Sequence, residues 1–200
     1  MACSILVSAT ESNTATMAKI KINKFPELVI LMGFMSSGKS TIGKRLAVRL
    51  EYEYLDLDKF IEAELGEDIP AIFKSLGEDG FRELESECLR KQGDLEKTVL
   101  ALGGGTPCFR DNISWIKENG TSVYLNVPNS ILLGRLKKNR HRRPVLADMT
   151  DNELVNFVSD LHAKREYFYK QADIELKFMG EPISEICRTL ARKLEQKKQA

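Results

Sequence analysis

The stretch from residue 28 to residue 50 constrains the fold more than any other part of the chain. A short apolar run, Leu28-Val29-Ile30-Leu31-Met32, leads into Gly33-Phe34-Met35-Ser36-Ser37-Gly38-Lys39-Ser40-Thr41, which matches the pattern G-x-x-x-x-G-K-[ST] at every fixed position. Apolar residues then recur at helical spacing: Ile42, Leu46, Ala47 and Leu50. This order of strand, glycine loop and helix is the context in which the pattern binds phosphate, and it disfavours a chance glycine turn.

The loop predicts a nucleoside triphosphate as phosphate donor. Its glycines leave backbone N–H groups free to face a phosphate, and the following helix adds its positive N-terminal end. Lys39 is expected to reach the outer phosphates, and the Ser40 hydroxyl is expected to bind Mg²⁺. The loop does not identify the group that receives the phosphate.

Bulk composition fits one α/β domain with a substantial core. The chain has 200 residues, of which 42% are hydrophobic and 30% charged, as in ordinary globular proteins. The net charge of +1 gives no general attraction to nucleic acid or to an anionic membrane. No apolar run approaches the roughly 20 residues needed to span a bilayer. We therefore expect neither nucleic acid nor a membrane as a partner.

The cysteines and the N-terminus favour a cytoplasmic protein. Four cysteines, Cys3, Cys88, Cys108 and Cys187, are far apart and show no C-x-x-C spacing, so we expect reduced thiols and no zinc site. Residues 1–16 have no basic region and no arginine, which disfavours a secretory signal or a transit peptide. We expect residues 1–27 to be an extension, disordered in part, or to reflect a start site at Met17, and residues 28–200 to be a single domain.

Strands and helices alternate along the rest of the chain. Apolar runs predict strands at residues 28–32, 53–58, 98–102, 121–127 and 173–176. This rhythm predicts a three-layer α/β/α fold with a five-stranded parallel sheet. A polar, basic loop is expected over residues 139–148, and Thr150 with Glu153 forms the capping box of the helix behind it.

Two further polar features fall at the carboxyl ends of predicted strands, where ligands bind in such sheets. Asp56 and Asp58 would share a face if their strand continued. A phosphotransferase needs an acid near Mg²⁺ and one that orients or deprotonates the attacking hydroxyl, whereas helix capping would explain Asp58 alone. The run Gly103-Gly104-Gly105 suits a place where a ligand lies against bare backbone, with a plain turn as the alternative.

Two arginines stand where local structure does not favour them. Arg82 lies in the first turn of its predicted helix, where a cation opposes the helix dipole, and Glu85 one turn on could hold it. Arg165 falls on the apolar stripe of its helix and needs an anionic partner. The alternatives are a surface Arg–Glu pair and an arginine that extends to solvent from the helix end.

The basic run over residues 137–143 is interpreted as part of a lid that closes arginines over the triphosphate. The neutral overall charge disfavours a nucleic-acid patch. His141 and His162 show no ligand-like spacing, and neither is given a catalytic role.

Taken in order, these motifs resemble the shikimate kinase family. The resemblance covers roughly residues 28–194 and rests on the glycine loop, Asp56-Leu57-Asp58, Gly80-Phe81-Arg82-Glu83-Leu84-Glu85, Gly103-Gly104-Gly105, Arg143-Pro144-Val145-Leu146 and Arg165. It implies a nucleoside monophosphate kinase-like P-loop fold. It also implies transfer of the ATP γ-phosphate to the 3-hydroxyl of shikimate, on the route to chorismate and the aromatic amino acids. Mg²⁺ is the implied cofactor.

The resemblance also implies a role for each matching residue. The catalytic residues would be Lys39, Asp58 and Arg143. The ATP site would comprise Ser36, Ser37, Gly38, Lys39, Ser40, Thr41, Arg135 and Arg143. The shikimate site would comprise Asp58, Arg82, Gly103, Gly104, Gly105 and Arg165, in which planar arginines suit the carboxylate. The metal site would comprise Ser40 and Asp56, with Asp56 acting through water. A substrate-binding insert at about residues 58–92, a lid at about residues 137–150 and a monomeric state are further expectations.

Two departures and two rivals remain. Many members of the family have glycine where Ser36 stands, and serine is tolerable there only if φ is not positive. The basic lid segment is about one residue longer than usual, which leaves the adenine contacts open. A gluconate kinase of the same fold is the nearest rival. A catalytically silent nucleotide-binding protein is the other, although it would be expected to lose Asp58, Arg82 or Arg143.

Overall fold

Five parallel strands form one sheet in the computed structural model, which describes residues 24–140 and 144–199. The strands are β1 Leu28–Met32, β2 Glu53–Asp56, β3 Thr98–Ala101, β4 Thr121–Asn126 and β5 Ile174–Lys177. Their order across the sheet is β2-β3-β1-β4-β5. The predicted fold class, a five-stranded parallel sheet between two helical layers, is confirmed.

Helices cover both faces of the sheet. They are α1 Lys39–Leu50, α2 Leu57–Leu65, α3 Ile69–Arg90, α4 Asn112–Asn119, α5 Asn129–Lys138, α6 Pro144–Ala147, α7 Asp151–Tyr169 and α8 Ile183–Gln199. Successive residues of β1 enter different cores, because side chains alternate across a strand. Val29 and Leu31 pack with α1, α5, α7 and α8, whereas Ile30 and Met32 pack with α2, α3 and α4. This double burial explains why β1 is an uninterrupted apolar run.

The strand order places the predicted site features side by side. β1, β3 and β2 are neighbours in the sheet, and the glycine loop, the glycine run at residues 103–105 and Asp56 stand at their carboxyl ends. The ends of the three strands are level, since Ala101 pairs with both Leu31 and Asp56. The three features therefore meet at one edge, as predicted.

The second strand is shorter than predicted. β2 ends at Asp56, and Leu57 begins α2, so Asp58 lies in the first turn of a helix and not on a strand. Leu57 and Ile61, four residues apart, are both fully buried in the core beneath α2. Burial of this helical pair outweighs continuation of the strand, and the expectation that Asp56 and Asp58 share a strand face is wrong.

The region predicted as a basic loop over residues 139–148 contains the short helix α6. Leu146 within it is only 2% exposed and belongs to the core on the α1 side of the sheet, which explains why the segment is not simply a solvated loop. Arg143 lies outside the described residues. The capping box of Thr150 and Glu153 at the start of α7 is confirmed.

In the part of the chain that the structure describes, no helix combines the length and the apolar composition needed to cross a membrane.

Candidate active site

A cavity of about 580 Å³ opens at the carboxyl ends of β1, β2 and β3. Its walls bring together most of the residues predicted from the sequence: Ser36, Ser37, Gly38, Lys39, Ser40, Thr41, Asp56, Asp58, Gly103, Gly104 and Arg135. Arg82, Gly105 and Arg165 are not among its lining residues; Gly105 is the last residue of the glycine run, and Arg82 and Arg165 lie against that run. The geometry thus joins a phosphate-type loop to a cluster of acids and arginines.

The loop between β1 and α1 depends on glycine at two positions. Gly33 has φ 148° and Gly38 has φ 103°, both values that side chains disfavour. A Cβ on Gly33 would also lie 2.9 Å from the backbone oxygen of Leu125. The Lys39 ammonium donates hydrogen bonds to the carbonyl oxygens of Gly33 (2.8 Å) and Phe34 (3.1 Å). The side chain of Lys39, the first residue of α1, therefore extends back across the loop to its beginning.

Ser36 adopts the left-handed backbone region with φ 62°. For a residue other than glycine this conformation costs roughly 1–2 kcal/mol, so the condition under which serine was expected to be tolerable is not met. Arg135 of α5 supports the strained segment, because its Nη1 donates to the carbonyl oxygens of Ser36 (3.0 Å) and Ser37 (3.1 Å). Contact of Arg135 with adenine stays a prediction.

An oxygen-rich corner joins the start of α1 to the end of β2. The hydroxyls of Ser40 and Tyr54 both donate to Asp56 Oδ2, each at 3.0 Å. Burial, and then the charge of Asp56, raise the pKa of Tyr54. Hydroxyl and carboxylate oxygens are the ligands that Mg²⁺ prefers.

Among residues 24–140 and 144–199, no group of three or more His, Cys, Asp or Glu side chains could hold a metal ion. Mg²⁺ does not require such a group, since it usually binds through one or two protein oxygens together with water and substrate phosphates. The pair of Ser40 and Asp56 therefore fits this ion.

Asp58 is partly buried on the wall of the cavity. Burial first, and then the charges of Glu85 and Asp56, raise its pKa to about 6, against the opposing effect of Lys39 and Arg82. The N-cap of α2 is Asp56, which makes no capping side-chain bond, so helix capping does not explain Asp58. A carboxylate with this pKa is ionised at neutral pH and can accept a proton.

Arg82 belongs to a buried ion pair and not to a surface pair. Glu85 is 1% exposed, and its Oε2 accepts from Arg82 Nη1 at 2.7 Å. Its Oε1 accepts from the Thr106 hydroxyl at 2.6 Å. The guanidinium also lies over the rings of Phe73 and Phe81. The expected role of Glu85 as the residue that holds Arg82 is confirmed by this geometry.

The glycine run at residues 103–105 makes room for protein side chains. A Cβ on Gly103 would lie 2.4 Å from Glu85 Oε1, and one on Gly105 would lie 2.7 Å from Arg82 Cζ. A Cβ on Gly104 would be 3.4 Å from Arg165 Nη1. None of the three glycines has a positive φ, so close approach is the reason for glycine here and a left-handed turn is not.

Arg165 differs from Arg82 in having no acidic partner among residues 24–140 and 144–199. No ion pair joins it to any residue that the structure describes, and its contacts are with Gly104 and with Tyr169, one helical turn on. The Tyr169 hydroxyl in turn donates to the carbonyl oxygen of Gly104 at 2.5 Å. Arg165 therefore offers a positive charge, held in place by α7, beside the glycine run.

The described flanks of the predicted lid are anchored to α7. Asp151, the first residue of that helix, pairs with Lys137 at 2.6 Å and with Arg140 at 2.5 Å. Arg140 also donates to the carbonyl oxygen of Met149 at 2.8 Å. The basic run is thus fixed at its near end by an acid at a helix N-terminus, where negative charge is favourable.

Several site residues were missed by sequence reasoning. Tyr54 stands two residues before Asp56 on the same strand face, and Tyr169 stands four residues after Arg165 on the same helix face, so spacing alone could have indicated both. The turn between β5 and α8 also lines the cavity, through Phe178, Gly180, Glu181 and Ile183. The order of the strands in the sheet brings this turn to the cavity, and no local sequence pattern indicates it.

Comparison with known proteins gives consistent likenesses. The model of the shikimate kinase family matches residues 35–195. A shikimate kinase of Phocaeicola vulgatus is 40% identical over 144 residues, which are 72% of this chain and 82% of that protein. A crystal structure of shikimate kinase from Bacteroides thetaiotaomicron has a TM-score of 0.81 at 34% identity and covers 85% of this chain and 99% of its own.

A third likeness is to a structure of shikimate kinase from Acinetobacter baumannii in complex with shikimate. It has a TM-score of 0.71 at 32% identity and covers 85% of this chain and 91% of its own. The segment that the family model matches runs from the glycine loop to α8, and it includes every candidate site residue from Ser36 to Arg165.

Proposed function

From the premise that this chain belongs to the shikimate kinase family, we propose how its residues divide the reaction among themselves. The chain is an ATP-dependent kinase that phosphorylates shikimate in aromatic biosynthesis. The observation that carries the proposal is the position of Asp58, a carboxylate of raised pKa on the wall that joins the phosphate loop to the glycine run.

Asp58 acts on the attacking hydroxyl. The 3-hydroxyl of shikimate gives its proton to the Asp58 carboxylate while its oxygen forms a bond to the γ-phosphorus of ATP. The bond from that phosphorus to the bridging oxygen breaks, and ADP leaves with the electron pair. A pKa of about 6 suits this role, because the group is ionised before the step and basic enough to accept a proton during it.

The substrate carboxylate binds at the glycine run. Arg82 is already paired with Glu85, so Arg165 supplies the uncompensated positive charge there. Arg82 adds directed N–H donors whose orientation the buried Glu85 fixes. Gly104 and Gly105 contribute backbone N–H groups, and Gly103 brings the run close to Asp58.

The nucleotide phosphates bind at the loop. Backbone N–H groups from Ser36 to Thr41 and the Lys39 ammonium hold them, with the N-terminus of α1 behind. Ser40 and Asp56 hold Mg²⁺, which neutralises charge on the phosphates when bound. Arg143 is proposed to stabilise the charge of the transition state, so Arg143→Ala should lower kcat. The turn from Phe178 to Ile183 lines the same cavity.

The proposal is tested with a coupled ADP-release assay on shikimate and gluconate. We expect Mg²⁺-dependent turnover with shikimate and none with gluconate. Asp58→Asn should lose nearly all turnover while ATP still binds, whereas Asp94→Asn, at an exposed acid away from the cavity, should behave as wild type. Turnover of Asp58→Asn at the wild-type rate would remove Asp58 from the mechanism.

We further propose a cytoplasmic monomer. The described cysteines, Cys88, Cys108 and Cys187, are free thiols, as is usual in a reducing compartment. All described groups that the reaction needs come from one chain and meet at one cavity or at the glycine run beside it, so a second copy is not required to complete the site. Sedimentation at assay concentrations would test the monomeric state.

A further inference from the structure

Tyr54 stands one step behind the proposed metal site. Its hydroxyl donates to Asp56 Oδ2 at 3.0 Å, and the Ser40 hydroxyl donates to the same oxygen at 3.0 Å. Within the described residues these are the hydrogen bonds that the Asp56 carboxylate receives, and both go to Oδ2. The other oxygen, Oδ1, would be available to a water of a bound ion.

The two bonds also set the direction of the Ser40 hydroxyl. A serine hydroxyl has one proton and two lone pairs, and here the proton is used on Asp56. The Tyr54 hydroxyl also lies within hydrogen-bond reach of Ser40, and the Ser40 oxygen lines the cavity, where it can face a cation. Any group that fixes Asp56 Oδ2 therefore also fixes the orientation of Ser40 as a ligand.

The Tyr54 ring is held in place by packing as well as by its hydroxyl. A Cβ on Gly43 would lie 2.6 Å from Tyr54 Cε2, so the ring occupies the space that a side chain of α1 would otherwise fill. Gly43 is buried in the interior of α1, where glycine costs about 1 kcal/mol relative to alanine. The close packing of the Tyr54 ring against α1 explains why glycine stands at position 43, although glycine is unfavourable within a helix.

We propose that Tyr54 is a positioning residue for Mg²⁺, acting through Asp56: its hydroxyl, seated by Gly43, holds one carboxylate oxygen so that Ser40 and the other oxygen face the ion. This inference rests on the proposed placement of Mg²⁺ at Ser40 and Asp56. Hydrogen-bond partners behind metal ligands commonly change metal affinity or activity by 10- to 100-fold.

The deciding variant is Tyr54→Phe, which keeps the ring on Gly43 and removes only the hydroxyl. Mn²⁺ serves as the probe, with its free concentration read by electron paramagnetic resonance in the presence of saturating ADP and corrected by a titration without enzyme. We expect the affinity of the enzyme–ADP complex for Mn²⁺ to fall about tenfold. The Mg²⁺ concentration for half-maximal rate should rise by a similar factor, with an unchanged KM for shikimate.

Tyr52→Phe is the matched control. Tyr52 lies just before β2, the strand that carries Tyr54. The Tyr52 hydroxyl donates to the carbonyl oxygen of Pro26 at 3.1 Å, away from the metal ligands. Its Mn²⁺ affinity should equal that of wild type. Equal Mn²⁺ affinity for Tyr54→Phe and wild type would overturn the inference, and so would an equal loss in both tyrosine variants.

A double-variant cycle tests whether Tyr54 acts through Asp56. Tyr54→Phe should cause no further loss of Mn²⁺ affinity in an Asp56→Ala background, and a full further loss there would overturn the route through Asp56. If wild type itself binds no Mn²⁺ in the presence of ADP, the proposed metal site fails, which is a different outcome from failure of the Tyr54 role.

Gly43→Ala gives a second approach that keeps the hydroxyl. The added methyl displaces the Tyr54 ring, so Mn²⁺ affinity should fall, with circular dichroism to establish that the variant is folded. Gly134→Ala in α5, where an added Cβ meets nothing within 4 Å, is its control and should bind Mn²⁺ as wild type does. A folded Gly43→Ala with wild-type Mn²⁺ affinity would contradict the seating role of Gly43.

Discussion

The carboxylates of Asp58 and Glu85 approach the same side of Gly103 from two different helices. A Cβ on Gly103 would lie 3.1 Å from Asp58 Oδ1 and 2.4 Å from Glu85 Oε1, so two like charges share the space of one missing side chain. Glu85 is paired with Arg82, but Asp58 has no such partner among the residues described. The result is a carboxylate at Asp58 with a pKa raised to about 6.

This raised pKa predicts the pH dependence of activity. Asp58 must be ionised to accept the hydroxyl proton, so kcat/KM for shikimate should fall as pH decreases through about 6. Initial rates between pH 5 and pH 8, in buffers of constant ionic strength, measure this decrease, which is the acid limb of the pH profile. Asp94→Asn should leave it unchanged. A limb near pH 4, the range of an ordinary exposed aspartate, would contradict the assignment.

The same shift predicts that Asp58 lowers stability at neutral pH. The native pKa of about 6 lies above the ordinary value of 3.8, so the native state binds the proton more tightly than the unfolded state does. The free energy of unfolding then decreases as pH rises from about 4 to 6, and the contribution of Asp58 stays constant above that range.

Asp58→Asn should therefore raise the free energy of unfolding at pH 8 by on the order of 1–3 kcal/mol. The gain should shrink as pH is lowered through 6, where native Asp58 becomes protonated. Urea unfolding of both proteins at pH 8 and pH 5 checks this. A gain independent of pH would point to a cause other than ionisation.

Glu85→Gln should change both the free energy of unfolding and the pH dependence of kcat/KM, because the Glu85 carboxylate pairs with Arg82 and lies near Asp58 at Gly103. Removing a buried charge that pairs with Arg82 should lower the free energy of unfolding by on the order of 3 kcal/mol. It should also move the acid limb of kcat/KM to lower pH, because Glu85 is one cause of the raised pKa of Asp58.

Glu83→Gln is the matched control on the same helix, since Glu83 pairs with Arg110 at the surface and should cost little. An acid limb that stays in place in a folded Glu85→Gln protein would show that Glu85 does not set the pKa of Asp58.

The fold and the phosphate loop could be predicted because their signals are local. A buried strand, a glycine loop and an amphipathic helix lie within about two dozen consecutive residues, and the alternation of strands and helices sets the sheet type. The convergence of Asp56 and the glycine run on that loop also followed from a general property of parallel sheets.

The remaining features depend on packing that spacing does not encode. Asp58 was placed on a strand because the pattern alternates there, whereas burial of Leu57 and Ile61 turns the segment into a helix. The glycine run was attributed to a ligand, yet its missing side chains leave room for Glu85, Arg82 and Arg165, which come from distant segments. Sequence order predicted which residues belong to the candidate site but not their mutual contacts.

Arg165 should determine shikimate affinity more than turnover. Its charge faces Gly104 with no acidic partner in the described part of the chain, so Arg165→Ala removes binding to the substrate carboxylate. Loss of a charged hydrogen bond worth about 1.5–3 kcal/mol corresponds to a rise in the KM for shikimate of roughly 10- to 100-fold. Arg188→Ala, at an exposed arginine on α8, is the control. An unchanged KM for shikimate in Arg165→Ala would refute the carboxylate role.

Ser36→Gly should stabilise the protein, because Ser36 is held at φ 62°. Relief of a left-handed conformation gains about 1–2 kcal/mol, and the greater freedom of glycine in the unfolded chain offsets about 0.5–1 kcal/mol, so a net gain of about 0–1.5 kcal/mol is expected. The bonds from Arg135 should persist, since they go to backbone oxygens. Denaturant unfolding gives the measurement.

Glu51→Gly separates backbone strain from effects special to the loop. Glu51 has φ 59° at the end of α1 and is exposed, so the same relief applies there without any contact to the cavity. Similar gains in the two variants would attribute both to the left-handed backbone. A gain in Glu51→Gly alone would mean that the Ser36 side chain stabilises the loop enough to offset its strain, and the explanation of that position would have to change.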